Sequence, residues 1–131
     1  MVSTPARRPH GFTLIELIVV MAIIASLVTL AMPRYFHSVE RSREAVLRQD
    51  LRVMRDAIDK FFADLGRYPA TLEELADKRY LRAVPPDPIT ESSSTWVVVP
   101  PPDAPDALSG VYDVRSGAPG KSLEGEAYAA W

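Results

Sequence analysis

The chain of 131 residues contains no cysteine, and it also lacks a strong charge of one sign. A disulfide-stapled fold and a cysteine nucleophile are therefore excluded, although the missing cysteine says nothing against an oxidising compartment. The 15 Lys and Arg side chains nearly balance the 17 Asp and Glu side chains, which leaves a net charge of −2. This balance gives no support to a nucleic-acid partner, whose phosphates select for basic surfaces.

Catalytic signatures are equally scarce. The two histidines, His10 and His37, are far apart in the sequence, and neither has a carboxylate motif around it. No glycine-rich phosphate loop is present, and no nucleophile stands beside a base in a recognisable pattern. We therefore expect no enzymatic activity and interpret both histidines as solvated.

One long apolar run organises the chain. It begins within the hexapeptide G-F-T-L-I-E (residues 11–16) and continues through Met32, long enough to cross a bilayer, which takes about 20 residues. Burying the Glu16 carboxylate near the bilayer centre would cost about 2–3 kcal/mol, so this group needs a partner. An ordinary secretory signal fits poorly, because its apolar core has only about 7–15 residues. A plain membrane anchor with a stray glutamate is the alternative.

The basic leader ending in Gly11, the following Phe12 and the glutamate four positions later resemble the class III signal of type IV pilins and type II secretion pseudopilins. The resemblance implies that a prepilin peptidase cleaves between Gly11 and Phe12 and methylates the new amino terminus. It also implies that Glu16 meets the amino terminus of a neighbouring subunit during assembly. Residues 1–11 would then be the leader peptide, and residues 12–33 the transmembrane helix.

Apolar residues continue at helical spacing after Pro33, which either ends or kinks the helix. The stripe favours a helix over residues 34–65. It comprises Val39, Val46, Leu47, Leu51, Met54, Ile58, Phe61, Phe62 and Leu65. We interpret the charged residues between them, Glu44 and Arg55 included, as a solvated face. Gly66 is expected to end the helix. A coiled-coil stalk is the alternative, but the aromatic pair within the stripe suits a globular core better.

The segment after the long helix begins with Gly66-Arg67-Tyr68-Pro69, which resembles the G-x-Y-P of pseudopilins. Proline prevents the helix from resuming at once. Next, Thr71 and Glu74 have the spacing of a capping box, in which each side chain satisfies an early backbone donor. The sequence therefore predicts a short helix over residues 71–79.

Residues rich in β-branched and aromatic side chains predict two strands near the carboxy terminus. They cover residues 95–99 and 111–115 and pair as an antiparallel hairpin over residues 95–115. The proline-rich connection between them is expected to be an exposed loop. Residues 116–131 form a carboxy-terminal loop, whose end either adds an edge strand or packs Trp131 onto the sheet.

These elements predict an α+β, pilin-like fold, in which a long amino-terminal helix packs against a small antiparallel β-sheet domain. Only about the first half of the helix can lie in lipid and be transmembrane. The second half must then bury its apolar stripe against the segment that follows Gly66. The resemblance places the resulting domain, residues 34–131, in the periplasm.

The resemblance to major pseudopilins of type II secretion runs from Gly11 through Trp131 and raises the question of calcium. These proteins often hold the ion in a loop written Y-D-L-x-S-x-G-x-D-G. Here the loop reads Y-D-V-R-S-G-A-P-G, one residue shorter, with Pro119 at the expected aspartate. Since calcium takes six to eight oxygens, both a metal-free turn and a weak calcium site remain open. The candidate ligands are Asp113, Val114 through its carbonyl, Ser116, Glu124 and Glu126.

The resemblance predicts a structural subunit of the type II secretion pseudopilus, a filament that grows from the inner membrane and drives protein export across the outer membrane. Expected partners are further copies of the chain, minor pseudopilins, the prepilin peptidase, the inner-membrane assembly platform and membrane lipid, with no nucleic acid. The alternative is a type IV pilin for adhesion, motility or DNA uptake, but many such pilins close their carboxy-terminal region with a disulfide. A receptor on a single anchor would need no cleavage after Gly11.

Overall fold

The computed structural model describes residues 2–6, 8–103 and 109–131. In chain order its elements are the helices α1 (Leu14–Leu65) and α2 (Leu72–Asp77), the strands β1 (Val97–Val99) and β2 (Asp113–Arg115), and a 3₁₀ helix (Tyr128–Ala130). The predicted α+β, pilin-like architecture is confirmed, with one long amino-terminal helix and a small two-stranded antiparallel sheet.

Helix α1 begins at Leu14 rather than at the predicted residue 12 because Thr13 caps it. The Thr13 hydroxyl oxygen accepts a hydrogen bond from the backbone N–H of Glu16 at 3.2 Å, as an amino-terminal cap does. The helix continues through Pro33. It ends at Leu65 because Gly66 has a φ of +68°, the left-handed conformation of a helix terminator.

The chain divides into two compact units, one ending at Ser38 and the other running from Val39 to Trp131. In the first unit the large apolar side chains from Phe12 to Phe36 are exposed. Two polar side chains in this run, Ser26 and Thr29, donate to the carbonyls one turn earlier, each at 2.8 Å, which satisfies their hydroxyls within the helix.

The second unit holds the hydrophobic core, which lies between α1 and the segments after it. Full burial of a Val, Leu, Ile, Phe or Met side chain stabilises a folded protein by about 1.5–3 kcal/mol. The α1 side chains in it are Leu47, Leu51, Met54, Ala57, Ile58 and Phe61, and the later segments contribute Leu72, Leu75, Leu81, Trp96, Val111, Val114, Ala118 and Tyr128. Three predicted members of the stripe, Val46, Phe62 and Leu65, are 42–50% exposed, and Val39 is only half-buried. Phe62 instead stacks on Tyr68 with ring centroids 4.5 Å apart.

Helix α2 begins with the predicted pair of capping side chains, although Glu74 bonds the residue before the cap and not the N–H of Thr71 itself. The Thr71 hydroxyl accepts from the backbone N–H of Glu74, and the Glu74 carboxylate accepts from the N–H of Ala70 at 2.6 Å. The helix ends at Asp77, before the predicted residue 79, because Arg79 has a φ of +65°. A non-glycine residue in this conformation cannot continue a right-handed helix.

Strands β1 and β2 pair antiparallel, with Val98 opposite Val114, which confirms the predicted pairing. Both strands are shorter than predicted. At the start of the second, the Val111 N–H donates to the Pro69 carbonyl at 2.7 Å instead of to β1. The connection was expected to be exposed, yet Pro101 is buried, and residues 104–108 of that loop lie outside the described residues.

The carboxy-terminal end forms a 3₁₀ helix, Tyr128–Ala130, instead of the edge strand that was one of the two expectations. Trp131 packs edge-on against Tyr128, with ring centroids 5.3 Å apart. The Arg48 guanidinium of α1 lies over the Trp131 ring, 4.3 Å from its centroid. These carboxy-terminal residues therefore contact α1 through Trp131 and β2 through the 3₁₀ helix, without forming a strand.

Candidate functional site

The predicted cleavage position lies immediately before α1. Gly11 and Phe12 are outside the helix and exposed, and the Phe12 side chain is 85% exposed. A protease needs an accessible, non-helical peptide, and the Gly11–Phe12 bond meets this requirement. The geometry is thus compatible with processing, whose occurrence stays a prediction.

Glu16 lies in the first turn of α1. Its side chain is exposed, and within the part of the chain that the structure describes its carboxylate has no hydrogen bond or ion pair. An acidic group is favourable near the positive end of a helix dipole, but that effect contributes only about 0.3–1 kcal/mol at an exposed site. The side chains of Thr13, Ser26 and Thr29 each make a hydrogen bond with the helix backbone. Among the polar residues of the run, only the Glu16 carboxylate lacks such a bond, and its neighbours are apolar.

The apolar run qualifies as a membrane span by length and composition. The most apolar 18-residue stretch of α1 has a mean hydropathy of 2.7, and none of its residues is buried inside the protein. An exposed apolar helix of this length is unfavourable in water, where unpartnered patches of apolar surface drive association. The segment therefore needs lipid or other subunits around it.

Two of the five candidate calcium ligands, Asp113 and Val114, are already bonded to a cation of the protein. The Arg55 Nε donates to the Asp113 carboxylate at 2.8 Å, and the Arg55 Nη2 donates to the Val114 carbonyl at 2.9 Å. The Val114 N–H also donates to the same carboxylate oxygen at 2.8 Å. The guanidinium therefore occupies the oxygens that the sequence assigned to a metal.

The other three candidates, Ser116, Glu124 and Glu126, have separate partners. The buried Ser116 hydroxyl donates to Asp87 at 2.7 Å. The Glu124 carboxylate lies 3.8 Å from an Arg48 nitrogen, and the Glu126 carboxylate accepts from the Trp131 indole at 3.1 Å. The four side chains and the Val114 carbonyl are thus bonded to four different residues, Arg55, Asp87, Arg48 and Trp131.

Across residues 2–6, 8–103 and 109–131, no group of three or more His, Cys, Asp or Glu side chains is placed to hold a metal ion. Calcium needs six to eight oxygens, several of them from carboxylates. The residues present around Asp113 do not fit this ion, because the Arg55 guanidinium, itself a cation, is bonded to the Asp113 carboxylate at 2.8 Å.

Glu44 is the residue that the sequence interpretation placed wrongly, because it is only 9% exposed and not on a solvated face. Its carboxylate accepts from the Leu123 N–H at 2.8 Å and from the Tyr128 hydroxyl at 3.0 Å. Burial, and then this hydrogen bond, raise the pKa of Tyr128 to about 12. The signal was present in the sequence, since Glu44 precedes Leu47 by three positions and Leu51 by seven, in register with the buried stripe.

Asp87 is a second buried carboxylate that the sequence interpretation did not single out. It is fully buried, accepts from the Ile89 N–H at 2.8 Å and receives the Ser116 hydroxyl on its other oxygen. Burial, and then the nearby charge of Asp87, raise the pKa of Asp50. Asp87 thus connects the segment of residues 85–88, which precedes β1, to Ser116, the residue just after β2.

Comparison with known proteins identifies the segment that begins α1. Residues 6–32 match the family described as the prokaryotic N-terminal methylation motif, a range that contains Gly11, Phe12 and Glu16. The chain is also 31% identical over 98 residues to the type II secretion system core protein G of Pseudomonas aeruginosa, an alignment that covers 63% of this chain and 69% of that protein. The chain belongs to the family of type II secretion system core protein G. This confirms the resemblance drawn from the hexapeptide and the G-x-Y-P turn.

Two further relatives cover smaller parts. The core protein G of Dickeya chrysanthemi is 30% identical over 82 residues, and the type IV major pilin protein PilA of Myxococcus xanthus is 35% identical over 68 residues. The chain spans 54% of the former protein and 31% of the latter. No solved structure matches the chain significantly. The motif and the apolar first part of α1 together make this a membrane-anchored member of the type IV pilin-like proteins.

Proposed function

We propose that the chain is a structural, non-enzymatic subunit of the type II secretion pseudopilus. It is made as a precursor in the bacterial inner membrane, loses its leader between Gly11 and Phe12 to a prepilin peptidase, and is methylated at Phe12. The mature chain then polymerises with further copies of itself. Minor pseudopilins and the inner-membrane assembly platform are the other partners, and growth of the filament drives protein export across the outer membrane.

The observation that carries this proposal is the first part of α1, an exposed apolar helix with one carboxylate, at Glu16, that nothing in the described chain satisfies. Lipid can cover the apolar surface while the subunit waits in the membrane. Packing against other copies covers it after assembly, and the new amino terminus at Phe12 supplies a positive charge for Glu16. The proposal includes a single-pass anchor with residues 34–131 in the periplasm. The charges that flank the anchor do not oppose this orientation, because large domains translocate largely regardless of flanking charge.

Processing is the first test of the proposal. The full chain is expressed in a host with prepilin peptidase, and the amino terminus of the purified protein is read by mass spectrometry. We expect a mature chain that starts at methylated Phe12. A Gly11→Val variant should accumulate as the precursor, because a branched side chain next to the scissile bond obstructs the cleavage.

His10→Ala is the matched control, since it changes the neighbouring leader residue, which is equally exposed, without touching the scissile bond. It should be processed like the unchanged chain. Recovery of the unchanged chain with its leader still attached, in a host that cleaves another prepilin normally, would contradict the proposal.

The match to the Myxococcus pilin favours a second function, a type IV pilus subunit. The two functions share leader, fold and assembly, so processing does not separate them. Deletion of the gene in its native host does. A secretion subunit predicts that exported enzymes accumulate in the periplasm, whereas a pilus subunit predicts loss of surface pili with normal secretion.

A further inference from the structure

Arg55 joins α1 to β2 through both ends of its planar guanidinium. Its Nε donates to the Asp113 carboxylate at 2.8 Å, and its Nη2 donates to the Val114 carbonyl at 2.9 Å. The Arg55 and Asp113 side chains are 39% and 30% exposed, so solvent screens the pair only in part. Arg55 can reach β2 because it directly follows Met54, a buried member of the α1 stripe.

A guanidinium at this place does part of what a bound cation would do. It is always positively charged, and its fixed fork of N–H groups binds two oxygens at once. Here these oxygens are a carboxylate and a backbone carbonyl, which are also the oxygen types that calcium prefers. A calcium ion at the same oxygens would have to displace the guanidinium or lie beside a like charge.

The cleft beside Arg55 contains few further oxygen ligands for a metal ion. Asp59 lines the same shallow cleft together with Tyr112, so two carboxylates face one guanidinium there. Ser116 is bonded to Asp87, and Pro119 contributes no side-chain oxygen. Calcium takes six to eight oxygens, several of them from carboxylates, and the described residues contain no group of three or more carboxylates placed to hold an ion.

We propose that Arg55 is a built-in cation that takes the place of calcium at the carboxy-terminal loop of this chain. The guanidinium holds the Asp113–Val114 peptide of β2 on α1, so the domain from Val39 onwards needs no metal at this loop. The inference concerns the folded domain alone, and its experiments test it independently of the proposed filament.

The first experiment uses the unmodified full chain in detergent micelles and measures its thermal unfolding by circular dichroism. One sample contains about 10 mM calcium, which is tenfold above the weakest dissociation constants of extracellular calcium modules, and the other contains EDTA. We expect melting temperatures that agree within about 1 °C. A calcium site would raise the melting temperature by about 5 °C or more at this concentration, and such a rise would overturn the proposal.

The second experiment compares Arg55→Gln with Arg52→Gln in the absence of calcium. Arg52 is an exposed arginine on the same helix with no hydrogen bond or ion pair in the part of the chain that the structure describes. Loss of a charge-assisted, bidentate contact should lower the melting temperature of Arg55→Gln by about 5–10 °C, and Arg52→Gln should melt like the unchanged chain. Equal melting temperatures for the two variants would contradict the proposal.

A double-mutant cycle with Asp113→Asn separates the pair from general packing. If the two groups act together, the shift of the double variant should be clearly smaller than the sum of the single shifts, because each single change leaves its partner unpaired. Additive shifts would contradict the pairing. If Arg55→Gln fails to fold, the calcium measurement on the unmodified chain still decides the proposal.

Discussion

Glu44 is one of the α1 side chains that attach the carboxy-terminal segment to this helix, together with Arg48. Its carboxylate is buried and accepts from one backbone donor, Leu123, and one hydroxyl donor, Tyr128. A buried charge is tolerated only when hydrogen bonds replace the lost water. Two donors to one carboxylate oxygen meet that need here, and they fix the position of the final turn of the chain.

We expect Glu44→Ala to destabilise the folded domain by about 1–3 kcal/mol, since it leaves the Leu123 N–H and the Tyr128 hydroxyl without an acceptor in a buried place. The measurement is thermal unfolding of the full chain in detergent. Glu40→Ala is the control, because Glu40 lies one turn earlier, is about half exposed and, among the described residues, has one ion pair, at 4.0 Å with Arg43. A shift for Glu44→Ala no larger than that of Glu40→Ala would show that the buried carboxylate adds no stability.

At the scale of elements, the sheet is the weakest part of the fold. Each strand has three residues, and a two-stranded sheet by itself is marginally stable at best. It persists because Val114 packs into the core on α1 and because the chain just after β2 passes close to the start of β1. Gly117 makes that close passage, since a Cβ at this position would overlap the Thr95 carbonyl oxygen.

Gly117→Ala should therefore destabilise the domain by about 1–3 kcal/mol, because the added methyl group forces the two segments apart. Arg115→Ala, which changes an exposed β2 residue two positions earlier, should stay within about 0.5 kcal/mol of the unchanged chain. Both values come from denaturant unfolding followed by tryptophan fluorescence. If Gly117→Ala leaves the free energy of unfolding unchanged, the backbone adjusts to the added methyl group without losing stability.

At the scale of the whole molecule, the two units bury apolar surface in different ways. The unit from Val39 to Trp131 has its own core, whereas the unit ending at Ser38 leaves its apolar side chains exposed. Only lipid or other subunits can cover the latter. Folding and assembly are therefore separable, and changes in the first unit should affect assembly while the domain stays folded.

On the proposed function, Glu16→Ala should be inserted into the membrane but assemble poorly. Its removal leaves the amino terminus of a neighbouring subunit without its carboxylate in lipid, which should lower filament yield by about tenfold or more. Yield is measured by shearing and immunoblotting at matched expression. Ser26→Ala is the control, because that hydroxyl is satisfied by its own helix at 2.8 Å. Wild-type yield from Glu16→Ala would contradict the pairing.

What the sequence determined by itself is local. The apolar run, the end of α1 at Gly66, the cap formed by Thr71 and Glu74, and the two β-branched runs each depend on neighbouring residues, and each is present in the structure. The family followed from the same kind of signal, a short motif around Gly11, Phe12 and Glu16. The helix ends moved by a few residues for local reasons, the Thr13 cap and the positive φ of Arg79. The second strand starts later than predicted because the Val111 N–H donates to the distant Pro69 carbonyl.

Only the tertiary structure decided the partners of the charged residues. Glu44 and Leu123 are 79 positions apart, and Arg55 and Asp113 are 58 positions apart. A carboxylate or guanidinium on an amphipathic helix has the same local pattern whether water or a buried donor satisfies it. The difference arises only when folding brings the second group within hydrogen-bond distance, and for that reason the predicted calcium ligands of β2 proved to be bonded to an arginine of α1.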